Sequence, residues 1–446
     1  MALVPRVIRI LSFLLVLGVS SVRASTRITI LHFSDYHSHA LPFYSEGGDE
    51  GGIARAIGFI KRLERKGALV FSGGDMMNKG APAWSDKYRC AEWPWFNSVV
   101  DAMAFGNHDA DYGNEDFERC RAAIRYPILS ANTEGFERYR IFTRNGIRIG
   151  VFAVAGADFP RLVTTAKFTF TDPITAARDV VQTLRAREHV DAVVMIGHQH
   201  AADDDKLAAA VPGIDVILGS HTHLKRDFML IPGTHTWFIS PFQYLTYVSV
   251  VELTFNEHQL TGAKGRLVPV DGMMKPDRRI EQRVTKMQRE LERDPAYRDL
   301  FVRIATLPQP MEVDDLARFT VETMRDVAHA DVAMSTVSSF RQPLPKGSVD
   351  LETLRAALPY DNEIVVAQVT GEQLETLLTR AAADAASDAR AFATAAGPID
   401  RTRTYTVAVT DYMARVSAAY RDVFRDAKLS STGLHVRDEV RKRLGV

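Results

Sequence analysis

Apolar and polar positions alternate along this chain in two rhythms. The run Arg27-Ile28-Thr29-Ile30-Leu31-His32-Phe33 repeats with a period of about two and predicts an extended strand. Four more apolar runs follow: ALVFSGGD (Ala68 to Asp75), AMAFGNHD (Ala102 to Asp109), AVVMIGHQH (Ala192 to His200) and DVILGSHTH (Asp215 to His223). Between them the spacing lengthens to that of a helix, in Ile53, Ile57 and Ile60 and again in Ile174, Val180, Val181 and Leu184. Strands and helices taking turns predict an α/β layered domain. Each strand-like run stops at a Gly or Ser beside Asp, Asn or His. Ligands of such sheets sit beyond the carboxyl ends of the strands, so one site can gather all five polar clusters.

The pattern changes near Lys275 to Asp294, where KPDRRIEQRVTKMQRELERD predicts a charged helical connector. The expected division is a first domain over residues 25–272, a connector over 273–300 and a second domain over 301–446. In the second domain NEIVVAQVTG and RTYTVAVTD are strand-like, and TRAAADAASDARAFATAAG reads as a helix running into a loop. That mixture predicts an α+β unit.

With 46% hydrophobic and 25% charged residues, 446 residues suffice for two or three domains with their own cores. Lys+Arg and Asp+Glu are equal at 55, so no bulk field draws the chain to a nucleic acid polymer or an anionic membrane. The first 24 residues are a separate matter: Arg6 and Arg9, apolar residues from Ile10 to Val19, then Val22-Arg23-Ala24 ahead of Ser25. This is the pattern of a signal peptide cleaved near Ala24. The apolar run is short for a bilayer span and no cysteine follows the cleavage site, so no membrane anchor is expected in the mature form. The expected location is periplasmic or secreted. The two cysteines, Cys90 and Cys120, are either a disulfide contributing roughly 3 kcal/mol in that oxidising setting or a pair of buried thiols.

Asp35 and His37 stand two residues apart in SDYHSH, so that strand alternation carried on past Phe33 projects both toward the same side, where they can serve one metal ion. With Asp75, Asn107, His198, His221 and His223 they make seven imidazole, carboxylate and amide donors without a thiolate, a set suited to Zn, Mn, Fe or Co. Seven donors are too many for one ion and enough for two bridged by a carboxylate. Paired ions about 4 Å apart lower the pKa of a shared water and stabilise the developing charge of a phosphate ester under attack.

The ordered motifs SDYHSH, GGIAR, GGD, GNHDADYG, SANT, IGHQH and GSHTH, followed by LPYDNEIVVAQVTGEQLETLL, resemble the 5′-nucleotidase family of calcineurin-like metallophosphatases over nearly the whole mature chain. The resemblance implies a four-layer α/β/β/α catalytic domain followed by a smaller α+β substrate-binding domain. It implies that Asp35, His37, Asp75 and His223 hold one divalent ion, and that Asp75 bridges to a second held by Asn107, His198 and His221. His108 and Asp111 match the family's catalytic dyad. His32, His39, His200 and His235 fall outside the ligand pattern and read as core, surface or supporting residues.

The second domain departs from the family. TVSSFR (Thr336 to Arg341) stands where an NGGGIR-type loop is expected, keeping only Arg341 for an anionic group. Tyr360 in LPYDN and Tyr420 in RVSAAY occupy the places of the two aromatics that sandwich a nucleobase, although the GGDG-type motif before the second is absent. The implied activity is hydrolysis of nucleotide 5′-monophosphates. Cyclic nucleotide phosphodiesterase, UDP-sugar hydrolase and thiol-sulfate hydrolase activities stay open within the same resemblance, and an inactive binding protein is the reading from another class.

Overall fold

Strand Thr26–Phe33 divides its side chains between two cores: Ile28 and Ile30 enter one, Leu31 and Phe33 the other. Neighbouring strands do the same, because successive side chains leave opposite faces of a sheet and both faces here are covered. The computed structural model describes residues 25–45, 47–80, 82–383, 389–394 and 397–445. The expected signal segment, 1–24, lies outside the described residues. No helix among them is long and apolar enough to cross a membrane.

Two six-stranded sheets form the first domain. One runs Gln259–Pro269, Tyr247–Asn256, Thr26–Phe33, Leu69–Ser72, Ala102–Ala104, Ile128–Leu129. The other runs Lys225–Leu230, Trp237–Pro241, Val216–Gly219, Ala192–His198, Ile147–Ala155, Tyr139–Arg144. Ile30, Phe71 and Ala104 of the first meet Val151, Ile196 and Leu218 of the second in the core between them. Helix Ile53–Glu64 covers the first sheet through Ile53, Ala56, Ile57 and Ile60, and helix Pro173–Ala186 covers the second through Ala177, Val180, Val181 and Leu184. The result is the expected α/β/β/α stack. Asp172 caps the latter helix by accepting a hydrogen bond from Thr175 N, with Pro173 at its first position.

Helix Arg278–Arg293, expected as a connector, carries one apolar stripe, and Ile280, Val284 and Leu291 bury it in the first domain's core. Lys61 holds its N-cap residue, Asp277, at 2.6 Å. Cys90 and Cys120 form a disulfide, which decides between the two readings of that pair. It ties the segment after helix Ala83–Tyr88 to helix Asn114–Ala123, next to the GNHDAD turn.

The second domain is a mixed five-stranded sheet, ordered Ala391–Ala393, Val332–Thr336, Thr404–Thr410, Glu363–Thr370, Lys428–His435. Helices Val313–Ala328, Leu351–Ala357 and Val436–Leu444 pack on one face, and Gly371–Ala381, Asp411–Arg415 and Arg421–Phe424 on the other. Glu352 and Arg355 reach across to the first domain, to Ala83 N and to the Gly80 carbonyl.

Candidate active site

The strands that end in polar clusters lie side by side. Thr26–Phe33, Leu69–Ser72 and Ala102–Ala104 are parallel neighbours in one sheet, and Ala192–His198 and Val216–Gly219 in the other. Their carboxyl ends bring all seven expected donors together. The local route differs from the strand alternation expected for Asp35 and His37: both lie beyond the strand with φ of 50° and 47°. Asp75, His221 and His223 are also left-handed, at 51°, 67° and 51°. Non-glycine residues in that region store strain, which collects where surrounding structure fixes a functional geometry. Gly106 makes room for it, since a Cβ there would lie 2.3 Å from Asp75 Oδ1.

Asp35, His37 and His223 form one cluster of donors and Asp75, His198 and His221 a second. In the first, His37 Nε2 faces His223 Nε2 at 3.0 Å, and His223 Nε2 is 3.5 Å from Asp35 Oδ1. In the second, Asp75 Oδ2 is 3.2 Å from His198 Nε2, which lies 3.3 Å from Asn107 Oδ1. The same Asp75 oxygen is 3.8 Å from His37 Nε2, so it stands between the clusters. Burial holds His37 and His223 well below the ordinary imidazole pKa, with Arg341 adding to the effect at His223. The neutral rings of His37 and His223, with nitrogens converging beside buried carboxylates, are donors that fit a divalent metal ion. At His198 burial is outweighed by the Asp75 carboxylate, which pushes the imidazole up to about 9.

Asp109 shapes the site without facing it: its carboxylate accepts from the main-chain N–H of Asp75, Met76 and Gly106. His108 donates its main-chain N–H to Asp75 Oδ1 at 2.7 Å, and its Nδ1 meets Asp111 Oδ2 at 2.8 Å. Burial favours the neutral His108 ring, but the Asp111 and Asp75 carboxylates outweigh it and push the imidazole up to about 10. His32 is a core residue, buried between the sheets and pushed down to about 3 by that burial. His39 stacks on Tyr244 with ring centroids 3.5 Å apart.

From the second domain Arg341 enters the site, 3.2 Å from His223 Nε2, and its Nη2 donates to the Tyr360 hydroxyl at 2.5 Å. Tyr420 does not join them. It is 0% exposed, packed among Leu374, Leu377, Val409 and Phe424, with its hydroxyl donating to the Ala389 carbonyl. A ring with no exposed face has nothing to offer a base, which corrects the expected aromatic sandwich. The sequence reading also passed over Asp158, which contacts both His200 and His221. A lone aspartate in GADFP carries no pattern that singles it out.

A phosphoesterase-like double sheet with two Asp/His clusters at its strand ends defines the class, and the comparisons place the chain within it. Family models match for calcineurin-like phosphoesterase over residues 28–225 and for the 5′-nucleotidase C-terminal domain over residues 303–397. The chain belongs to the 5′-nucleotidase family of calcineurin-like metallophosphoesterases and is a metal-dependent phosphoric ester hydrolase. Protein UshA of Yersinia enterocolitica is 25% identical over 421 residues, covering 79% of this chain and 75% of its own. The 5′-nucleotidase of Vibrio cholerae is 23% identical over 416 residues, covering 78% and 74%. The solved 5′-nucleotidase precursor from Thermus thermophilus is similar in fold with a TM-score of 0.75 at 20% identity, covering 94% of this chain and 96% of that one. The sulfate thiohydrolase SoxB of the same organism has a TM-score of 0.72 at 19% identity, covering 94% of each.

Proposed function

We propose that this protein is an exported hydrolase of nucleotide 5′-monophosphates that works with two divalent ions. The observation that carries the two-ion reading is the position of Asp75 Oδ2 between His37 and His198. Asp35, His37 and His223 would hold one ion, Asn107, His198 and His221 the other, and Asp75 would contribute to both. When bound, the ions supply Lewis acidity that activates water and stabilises charge on the phosphoryl oxygens. Asp111 accepts the hydrogen of His108 Nδ1 and turns the rest of the ring toward the substrate, where its positive charge offsets charge growing on the leaving oxygen. Arg341 binds a phosphoryl oxygen from the second domain. Tyr360 offers its ring to the organic part of the substrate. The signal-like N-terminus and the Cys90–Cys120 disulfide support export to an oxidising compartment.

A second reading is favoured by one observation: with Tyr420 buried, the base has a single aromatic partner. Hydrolysis of a sulfate or phosphate ester without a base, as the likeness in fold to a sulfate thiohydrolase also suggests, is that reading. The test is product release from nucleoside monophosphates, cyclic nucleotides, UDP-glucose and an S-sulfonated thiol, each with Mn, Zn and Co. Nucleoside monophosphates should give the highest kcat/KM. Turnover confined to the S-sulfonate would replace the first reading with the second.

A further inference from the structure

The loop after strand Ile147–Ala155 wraps the second donor cluster. Gly156 donates its main-chain N–H to the carbonyl of His198 at 2.9 Å. Phe159 sets its ring against His198 and His221, with centroids 5.7 and 6.2 Å away. Between them Asp158 places a single oxygen, Oδ2, 3.1 Å from His200 Nε2 and 3.3 Å from His221 Nε2. The Asp158 main chain is held in place, because its carbonyl accepts from Arg161 N and Leu162 N as the short helix Phe159–Leu162 begins.

His221 needs such a partner. Its main-chain N–H is held by both oxygens of Asp35, at 3.1 and 3.2 Å, so its backbone belongs to the first cluster while its ring serves the second. That anchoring leaves the ring's own torsions and tautomer undetermined. A neutral imidazole has one N–H and one lone pair, and the hydrogen bond at one nitrogen decides which atom remains free to coordinate.

We propose that Asp158 is the positioning residue for His221: by accepting the hydrogen of Nε2 it fixes ring angle and tautomer and leaves Nδ1 as the donor to the second ion. His200, sharing the same oxygen, keeps the carboxylate from swinging into the cluster as a ligand. Carboxylates behind metal-bound histidines raise ligand basicity, and their loss weakens binding by roughly 10- to 100-fold. The assignment rests on the two-ion reading above.

The experiment is metal binding by the whole protein, stripped with a chelator and titrated with Mn²⁺, read by calorimetry and by elemental analysis after desalting. Wild type should bind two ions, and Asp158→Ala should keep one tight ion and hold the second roughly 10- to 100-fold more weakly. Excess Mn²⁺ should then restore its turnover. Gly156→Ala carries the same test should Asp158→Ala not fold, because a Cβ at Gly156 would lie 2.5 Å from Asp158 Oδ1 and displace the carboxylate without removing its charge. Two ions bound as in wild type by whichever variants fold would overturn the assignment. So would three ions in wild type and two in Asp158→Ala, which would make Asp158, His200 and His221 a third cation site. Fewer than two ions in wild type would remove the two-ion reading itself, and this assignment with it.

Discussion

Arg341 of the second domain lies against His223 of the first, its Nη1 3.2 Å from the ring's Nε2. The contact is built into the chain on both sides. Gln243 donates to the Arg341 carbonyl at 2.6 Å, and Arg341 N donates to the Ala357 carbonyl at 2.9 Å. The altered loop TVSSFR therefore still delivers a guanidinium to the site, through the turn Val337–Ser339 and the buried Phe340.

Arg341→Ala should lower kcat/KM by roughly 10- to 100-fold, the effect of losing a charged hydrogen bond worth about 1.5–3 kcal/mol. Arg341→Lys should recover little, because an ammonium lacks the planar fork that binds two oxygens. Phosphate release measures both. Wild-type kcat/KM in Arg341→Ala would remove Arg341 from substrate binding.

Asp75 and His108 should separate metal binding from turnover. Asp75→Ala takes away the oxygen between the two clusters and should abolish tight binding of both ions along with activity. His108→Ala leaves every proposed ligand in place, so metal content should persist while turnover falls by roughly two to four orders of magnitude. Elemental analysis beside initial rates decides it. A His108→Ala protein that has lost metal would make His108 a ligand.

The His108–Asp111 pair gives a dependence on pH with a definite sign. Burial lowers the affinity of His108 for its proton, and the Asp111 and Asp75 carboxylates outweigh it and push the imidazole up to about 10. Asp111→Asn removes one of the two carboxylates that oppose burial, so the ring should lose its proton at lower pH. The alkaline limb of the kcat profile should move toward neutrality, with activity recovering as pH falls. An unmoved limb would mean that His108 does not act as a cation.

Much of this site was legible because its donors are strong, rare and fixed in order at strand ends. The period-two and helical runs gave the layers for the same reason: each strand or helix buries a regular set of apolar positions. Other features needed the fold. Left-handed backbone at Asp35 and His37 has no composition signal when the residue is not glycine. Helix Arg278–Arg293 reads as solvated because its three core residues, Ile280, Val284 and Leu291, are few among charges. Asp158 acquires its role only when a distant loop meets His200 and His221. Tyr420 matches only by position, within a motif whose glycines are replaced by VSAA, and its ring is buried.

The two tyrosines should now behave differently. Tyr420→Ala should destabilise the protein by roughly 3 kcal/mol or more, as loss of a buried aromatic does, and leave KM of the folded protein unchanged. Tyr420→Phe gives up one hydrogen bond, to the Ala389 carbonyl, and should cost about 1 kcal/mol. Tyr360 stands at the site beside Arg341, its hydroxyl accepting from Nη2 and its ring centroid 5.5 Å from the guanidinium carbon. Stacking on one aromatic face contributes about 1–3 kcal/mol, so Tyr360→Ala should raise KM for a nucleotide roughly ten-fold or more. Tyr360→Phe keeps the ring and should keep KM. p-Nitrophenyl phosphate, which has no base, should respond little to either change. Steady-state kinetics on both substrates, with denaturant melts of all four variants, make the distinction. If Tyr360→Phe and Tyr360→Ala impair both substrates alike, the hydroxyl held by Arg341 matters and the ring does not, and Tyr360 belongs with the phosphoryl-binding groups.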